Sequence, residues 1–145
     1  MIFVYKEVTT IPEFIDAIRL RVDVFIIEQG FRAGWEPDEG DKESTHFIAL
    51  SEGKIVATAR LRETSKDEYK IERMVVAKEY RKKSIGKGLT DYILQYTFRL
   101  KPKRLWLRSQ VRTKEFFNKC GFKEVSGPFD MYGTPHIDME YVGPE

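Results

Sequence analysis

Several features that define common classes of protein are missing from this sequence. Cys120 is the one cysteine among 145 residues, so no internal disulfide can form, and no spacing of Cys and His suggests a zinc site. No apolar run approaches the roughly 18 residues of a membrane span. The N-terminus lacks the charged start and the cleavage site of a signal peptide. We therefore expect a cytoplasmic protein without a metal and without a membrane partner.

Two nucleotide-binding motifs are absent as well. The chain has no G-x-x-x-x-G-K-[ST] sequence, which excludes a P-loop NTPase. It has no full G-x-G-x-x-G followed by an acidic residue, which argues against a Rossmann site. A net charge of +2 does not favour a nucleic-acid partner. The 41% of hydrophobic and 33% of charged residues are typical of a globular protein, and the length predicts one domain over residues 1–145.

Hydrophobic periodicity and turn residues predict a mixture of helices and strands. Thr10 is expected to cap the first helix, and Glu52-Gly53 to form the turn of a β-hairpin. Residues 31–45 are acidic and aperiodic, and long enough for a functional loop. The predicted helices cover residues 11–28, 84–100 and 113–120. The predicted strands cover residues 2–8, 46–51, 54–63, 69–77, 104–110, 122–125 and 134–142. This order predicts a layered α/β or α+β structure.

The segment over residues 81–88 carries the clearest functional signal. It follows a predicted strand directly and opens a predicted helix. Such a turn leaves N–H groups unpaired at a helix N-terminus, where the helix dipole adds positive potential, and such places bind phosphate. Four basic side chains add to this potential: Arg81, Lys82, Lys83 and Lys87. Two glycines spaced G-x-G are weak evidence alone, and a solvated basic turn is the alternative.

The same segment resembles a known signature. VVAKEYRKKSIGKGL is similar to the acyl-CoA-binding motif R/Q-x-x-G-x-G/A of the GNAT acetyltransferase superfamily. Arg81 takes the R/Q place and Gly86 the last place, whereas Ser84 stands where the first glycine is usual. FFNKCGF resembles another GNAT element near the C-terminus. LRVDVFIIEQ, THFIA, Gln110 and GTPHIDMEY resemble the ElaA-like branch of that superfamily, and together these segments cover most of the chain.

The resemblance implies both a fold and an activity. The implied fold is α/β (α+β), with a GNAT-like mixed, mostly antiparallel central sheet of six to seven strands flanked by about four helices. The implied activity is transfer of an acetyl group from acetyl-CoA to a primary amine of a small molecule or protein by direct attack. The residues implied to bind acetyl-CoA are Met74, Val75, Val76, Arg81, Lys82, Lys83, Ser84, Ile85, Gly86, Lys87, Gly88 and Asn118.

Direct attack on acetyl-CoA needs a neutral amine. An alkyl amine has a pKa near ~10.4, so a base or a water chain should take its proton. The candidates for the base are Glu72, His136 and Glu28. A histidine suits this work because its pKa is ordinarily near ~6.5. For Glu72 the alternative is a strand carboxylate paired with arginine, and for His136 a strand histidine satisfied by a backbone carbonyl.

The thioester end raises a second chemical question. In the superfamily a tyrosine usually protonates the leaving thiolate, and Phe117 stands in its place here. Tyr132 or Cys120 are alternative acids. A CoA thiolate, with a pKa near ~8.5, can also leave without full protonation. A backbone N–H of Val75 or Val76 is the expected donor to the oxyanion.

The acceptor and the assembly stay open at this point. The acidic residues of the loop over 31–45 either attract a cationic amine or are simply solvated. Ser84 and Phe117 also suit an alternative function, a GNAT-like module that senses CoA with little catalysis. Either a monomer or a homodimer agrees with the sequence.

Overall fold

A computed structural model describes residues 2–143, which form a mixed sheet covered by helices. The strands are β1 (Val4–Glu7), β2 (Ser44–Ser51), β3 (Lys54–Ser65), β4 (Glu68–Val76), β5 (Arg104–Gln110), β6 (Phe122–Glu124), β7 (Phe129–Met131) and β8 (Thr134–Tyr141). The helices are α1 (Ile11–Arg21), a π-helix (Val22–Glu28), α2 (Ile85–Phe98) and α3 (Lys114–Lys119). Short 3₁₀ turns cover Ala33–Trp35, Glu39–Glu43, Lys78–Tyr80 and Val111–Thr113.

The sheet has the order β1-β2-β3-β4-β5-β8-β6, with β7 paired to β8 beside this path. Only β4 and β5 run parallel among the paired strands of residues 2–143. The predicted fold class is therefore confirmed, although the sheet has eight strands where six to seven were expected. The missed strand is β7, whose three residues are too few to show a period. Among residues 2–143, no helix combines the length and the apolar character needed to cross a membrane.

The first helix begins where the sequence predicts. Thr10 accepts a hydrogen bond from the backbone N–H of Glu13, and the Glu13 side chain accepts one from the Thr10 N–H, which completes a capping box. The helix then changes from α to π hydrogen bonding at Val22 without a break. Single π turns inside helices often mark functional sites, and this one ends at Glu28, which lines the candidate site described below.

The core lies on both faces of β3, an interior strand of the sheet. Six consecutive residues from Val56 to Leu61 are buried, which requires cover on each side of the sheet. Helix α2 supplies an apolar face that includes the buried residues Leu89 and Ile93. Leu100 lies beyond the end of α2, although the predicted helix reached it, and is 40% exposed.

A β-bulge in β4 opens the sheet on one side. The pairing of β3 with β4 shifts register between Arg60 and Thr58, and Arg73, which lies in this shift, has a positive φ of 57°. The parallel pairing of β4 with β5 ends at Ile71 and Leu107, two residues before the bulge. Bulges bend a strand and disrupt its ladder, so the rest of β4 diverges from β5 and leaves an open cleft.

Candidate active site

The cleft beside β4 contains a cavity of about 740 Å³, here called the main cavity. Its walls are the second half of β4, the turn before α2, the start of α2, α3 and the π-helix. Nine of the twelve residues expected to bind acetyl-CoA line it: Met74, Val75, Val76, Arg81, Lys82, Ser84, Ile85, Gly86 and Lys87. Lys83, Gly88 and Asn118 are not part of this wall in the described chain.

The turn before α2 keeps a conformation typical of glycine even though a serine occupies it. Ser84 has a φ of 63° and a ψ of 17°, in the left-handed region. The serine therefore does not remove the need for a positive φ at this position. The Ser84 side chain makes no capping hydrogen bond among the described contacts. The first intrahelical bond runs from Gly88 N to Ser84 O, which leaves the N–H groups of Ile85, Gly86 and Lys87 for a ligand.

The two glycines of the turn serve different purposes. A Cβ at Gly86 would lie 3.2 Å from Phe116 in the wall of the main cavity, so glycine keeps the start of α2 close to α3. A Cβ at Gly88 would lie 2.1 Å from the Tyr5 hydroxyl oxygen, a distance no side chain can adopt. Gly88 therefore allows α2 to pack on β1, and its effect on the cavity is indirect.

Arg81 and Glu28 form an ion pair at the edge of the main cavity. Two guanidinium nitrogens donate to the Glu28 carboxylate at 2.6 and 2.7 Å, and Nε donates to the Val76 carbonyl at 3.0 Å. The hydrogen bonds from Arg81 lower the pKa of Glu28. Glu28 thus lies in the cavity wall, as a base would, but its lowered pKa makes it a weaker base.

Asn118 points away from the main cavity. Its amide nitrogen donates to the Phe122 carbonyl at 3.0 Å and to the Glu124 carboxylate at 2.7 Å. Both amide hydrogens are therefore used to tie α3 to β6. The predicted hydrogen bond from Asn118 to a pantetheine arm would need these bonds to break, so this geometry does not favour it.

Phe117 lies in the wall of the main cavity among other aromatic rings. Its ring contacts Phe116 and Phe122 edge to face, with centroids 4.9 and 6.1 Å away. Cys120 also lines the cavity, and burial raises the pKa of its thiol. Tyr80 lines the same cavity and supplies a hydroxyl that sequence reasoning missed, because nothing in the KEY turn sets it apart from a surface residue.

Glu72, another candidate base, lies outside the main cavity in a group of cations. It accepts hydrogen bonds from Arg60 and Arg62, and Lys70 Nζ lies 3.0 Å from its Oε2. Burial alone would raise its pKa, but the bonds from Arg62 and the charge of Lys70 outweigh burial and hold the pKa well below its usual range. This geometry agrees with the paired strand carboxylate and does not favour a base.

His136 and Tyr132 line a second cavity of about 120 Å³, here called the small pocket. The His136 ring is half-buried, and Nδ1 lies 2.8 Å from the Thr134 carbonyl oxygen. Because a carbonyl only accepts, Nδ1 carries the proton and Nε2 has a free lone pair. Neither residue lines the main cavity in the described chain. Tyr132 is 66% exposed and packs against Trp35, so its hydroxyl is not favoured as the acid at the thioester.

Two carboxylates of the acidic loop are buried and held by arginines, whereas Glu39 and Glu43 are exposed. Glu36 and Asp41 are buried beside Arg21, and Asp41 also accepts from Arg60 at 2.8 Å. Burial alone would raise the pKa of Asp41, but hydrogen bonds from both arginines lower it to about 2. Arg73 donates to Glu36 at 3.1 Å, which fastens the loop to the bulge of β4.

Comparisons with known proteins assign this architecture to a family. The family model described as Acetyltransferase (GNAT) domain matches residues 16–142. The uncharacterized N-acetyltransferase YjcF of Bacillus subtilis (strain 168) is 31% identical over 126 residues, which cover 86% of this chain and 89% of YjcF.

Solved structures show the same fold. The crystal structure of Escherichia coli ElaA matches with a TM-score of 0.87 and 22% identity, over 97% of this chain and 100% of ElaA. Aminoglycoside 6'-N-acetyltransferase complexed with coenzyme A matches with a TM-score of 0.77 and 16% identity, over 97% of this chain and 96% of that chain. The family model over residues 16–142 and the 31% identity to YjcF show that the chain belongs to the GNAT acetyltransferase family.

Proposed function

We propose that this protein transfers an acetyl group from acetyl-CoA to a primary amine by direct attack. The observation that carries the proposal is the main cavity, which joins the open edge of β4 to the N-terminus of α2. Three free N–H groups at that N-terminus, together with Lys82 and Lys87, suit a pyrophosphate. The unpaired edge of β4 beyond Ile71 suits the amides of a pantetheine arm, which need partners for their own N–H and C=O groups.

Membership of the GNAT family and the coenzyme A named with one solved structure of this fold support the choice of co-substrate. Arg81 would contact the pyrophosphate only after leaving Glu28, because its guanidinium is now held by that carboxylate and by the Val76 carbonyl. Lys83, Gly88 and Asn118 are not carried forward as direct contacts, since they do not line the main cavity as described.

In this reaction His136 is the favoured general base. The amine nitrogen attacks the thioester carbonyl, a C–N bond forms, and the C–S bond breaks with its electron pair going to sulfur. The amine proton passes to Nε2 of His136, whose tautomer is fixed by the Thr134 carbonyl. An N–H of Val75 or Val76 would stabilise the oxyanion. Glu28 and Glu72 are weaker candidates because neighbouring cations lower their pKa values.

The alternative is a module that binds CoA with little catalysis. The observation that favours it is Phe117, an apolar ring in the cavity wall at the place of the expected acid. Both functions predict CoA binding, but only the acetyltransferase predicts turnover. A monomer and a homodimer are both compatible with either function.

Thermal unfolding with acetyl-CoA, CoA and ATP, followed by a thiol-release assay with a pool of amines, tests the proposal. A ligand at 100 times its dissociation constant adds about 2.7 kcal/mol of stability. We expect a raised melting temperature with both CoA species and amine-dependent thiol release. Binding without thiol release would favour the sensor, and a shift with ATP alone would contradict both.

A further inference from the structure

The small pocket adjoins the main cavity through the bulge of β4. Ile71, Glu72 and Arg73 line the small pocket, and the next residue, Met74, lines the main cavity. Gln110 links the two from the opposite strand. Its side chain contacts Gln29 in the wall of the main cavity at 3.4 Å, and its backbone pairs with His136 of the small pocket. A molecule in the small pocket therefore lies beside the place proposed for the thioester.

The wall of the small pocket is rich in hydrogen-bond donors. It contains three cations, Lys70, Arg73 and Arg108, and one carboxylate, Glu72. Trp35 adds an indole N–H that is buried and has no hydrogen-bond partner among residues 2–143. A buried donor without a partner costs about 1–3 kcal/mol, so its persistence points to a ligand that accepts from it.

Two of these three cations have N–H groups without a partner in the described chain. Arg73 uses Nε and Nη2 on Glu36 and Asp38, and its Nη1 has no partner in the described chain. Lys70 contacts one oxygen of Glu72 at 3.0 Å, which leaves two of its three ammonium hydrogens.

Few hydrogen-bond acceptors remain in and beside the small pocket. The Glu72 oxygens are already occupied by Arg60, Arg62 and Lys70. Two unprotonated acceptors are left near the bulge: Nε2 of His136, and Oε1 of Gln110, which is buried without a partner among residues 2–143. A ligand that fits this arrangement presents an anionic oxygen to the donors and an N–H to the two acceptors.

The size and the lining of the small pocket restrict the choice of ligand further. A volume of about 120 Å³ corresponds to roughly four molecules of liquid water, which is enough for a carboxylate and a short chain. The rings of Phe31, Trp35 and Tyr132 form an aromatic side, with Phe31 stacked on Trp35 at 5.2 Å. A polycationic acceptor would instead meet three cations, and the buried loop carboxylates Glu36 and Asp41 are already paired with Arg21.

We propose that the acceptor is a small amine that carries a carboxylate near its amino group, as a free amino acid does. The carboxylate binds Trp35 Nε1 and the spare donors of Arg73 and Lys70, and the amine faces Gln110 and His136. This inference rests on the proposed acetyl transfer and names the class of its acceptor. Charge-assisted hydrogen bonds of this kind are worth ~1.5–3 kcal/mol each, or about 10- to 150-fold in specificity.

Matched acceptors test the proposal directly. Alanine, methionine and phenylalanine are each compared with their amides and with the corresponding decarboxylated amines, by thiol release and by the mass of the product. We expect kcat/KM at least about 10-fold higher for the amino acids. Equal or better use of the carboxylate-free amines would overturn the inference while leaving acetyl transfer intact. Loss of CoA binding would instead contradict the proposed function itself.

If no acceptor in this panel turns over, binding decides the question. Calorimetry of the CoA-loaded protein with the same nine compounds should give heat with the amino acids and none with the decarboxylated amines. No heat with any amino acid would overturn the inference.

A Trp35→Phe variant identifies the donor. It keeps an aromatic ring beside Phe31, Tyr132 and the Arg73 guanidinium but removes the indole N–H. We expect kcat/KM for amino acids to fall by about 10-fold or more, with decarboxylated amines unaffected. An equal loss on both classes would indicate a structural role and contradict the assignment. Tyr96→Phe, at a residue that lines neither the main cavity nor the small pocket, is the control.

Discussion

Glu28 holds the guanidinium of Arg81 with two hydrogen bonds, across the 53 residues that separate them in sequence. The pair joins the end of the π-helix to the turn before α2, and both residues line the main cavity. The arginine expected to bind phosphate is thus neutralised by a carboxylate expected to act as a base. Each residue limits the other, because the ion pair lowers the pKa of Glu28 and occupies Arg81.

Replacing Glu28 with glutamine should strengthen CoA binding. The change removes a negative charge from the cavity wall and frees Arg81, and a partly exposed ion pair of this kind is worth about 0.2–1 kcal/mol. We expect the dissociation constant for CoA to fall by up to about 5-fold in calorimetry, with kcat nearly unchanged. Glu39→Gln, at an exposed ion pair with Lys42, is the matched control. A loss of kcat by 100-fold or more would instead make Glu28 the base.

The two histidines of the chain offer a matched pair of variants. His136→Asn should lower kcat by about 10²–10⁴-fold with little change in melting temperature, because it removes the proposed base from a half-buried site. His46→Asn should instead lower the melting temperature with little change in kcat, because His46 is buried and its Nε2 lies 3.0 Å from the Asp41 carbonyl oxygen. Added imidazole should restore part of the activity of His136→Asn. Unchanged kcat in that variant would exclude His136 as the base.

Phe117→Tyr should place a hydroxyl in the wall of the main cavity. A thiol has a pKa of ~8.5, so protonation of the leaving sulfur is favourable only below that pH. If the thiolate of the wild type leaves without an acid, the new phenol can therefore help only in that range. We expect kcat to rise below that pH and to stay unchanged above it, in a pH profile of thiol release. Tyr141→Phe, at a residue that contacts Phe122 but does not line the main cavity, serves as a control for ring changes near Phe122. A uniform loss of activity would mean that the apolar ring itself is required.

Acid should destabilise this fold in two stages. Burial lowers the pKa of His46, so the unfolded chain takes up its proton first, and stability falls as pH drops below the ordinary value of ~6.5. Asp41 has a folded pKa of about 2, so the stability it adds is complete above the unfolded value of ~3.9 and is lost as pH falls toward 2. Urea unfolding between pH 8 and 2 measures both stages.

Asp41→Asn should isolate the second stage. Removing one partner from a buried ion pair costs about 3–5 kcal/mol, because Arg21 and Arg60 keep their charges. We expect this loss of stability at pH 7 and a much smaller one near pH 2, where Asp41 of the wild type is about half protonated because its folded pKa is about 2. A deficit that does not change with pH would show that packing, and not charge, carries the effect.

Ser84→Gly should stabilise the turn before α2. A left-handed conformation costs a residue with a Cβ about 1–2 kcal/mol, and glycine avoids this at a smaller entropic cost. We expect the free energy of unfolding to rise by up to about 1 kcal/mol. Gly88→Ala is the contrasting change, because its Cβ would overlap Tyr5, and it should lower stability. Loss of stability in Ser84→Gly would mean that the serine makes a contact important to the fold.

The local sequence pattern was enough to predict some elements of the fold and site but not others. Strand β5 was predicted to the residue, because Leu105, Leu107 and Ser109 alternate toward the core. The turn before α2 was predicted from basic residues and glycines that lie next to one another. The roles of Glu36 and Asp41 were missed because their partner, Arg21, lies 15 and 20 residues away on α1. Only the folded chain brings such charges together.

The bulge in β4 also separates the residues proposed to select the acceptor from those proposed to bind the acyl donor. Residues just before it line the small pocket and residues just after it line the main cavity, so different segments of one strand serve the two sites. Deleting Arg73 would shift the register and turn every later side chain to the opposite face of the sheet. While the bulge is kept, residues on one side of it can change without disturbing the other. New acceptors are thus accessible by mutation at no cost to the site proposed for the acyl donor.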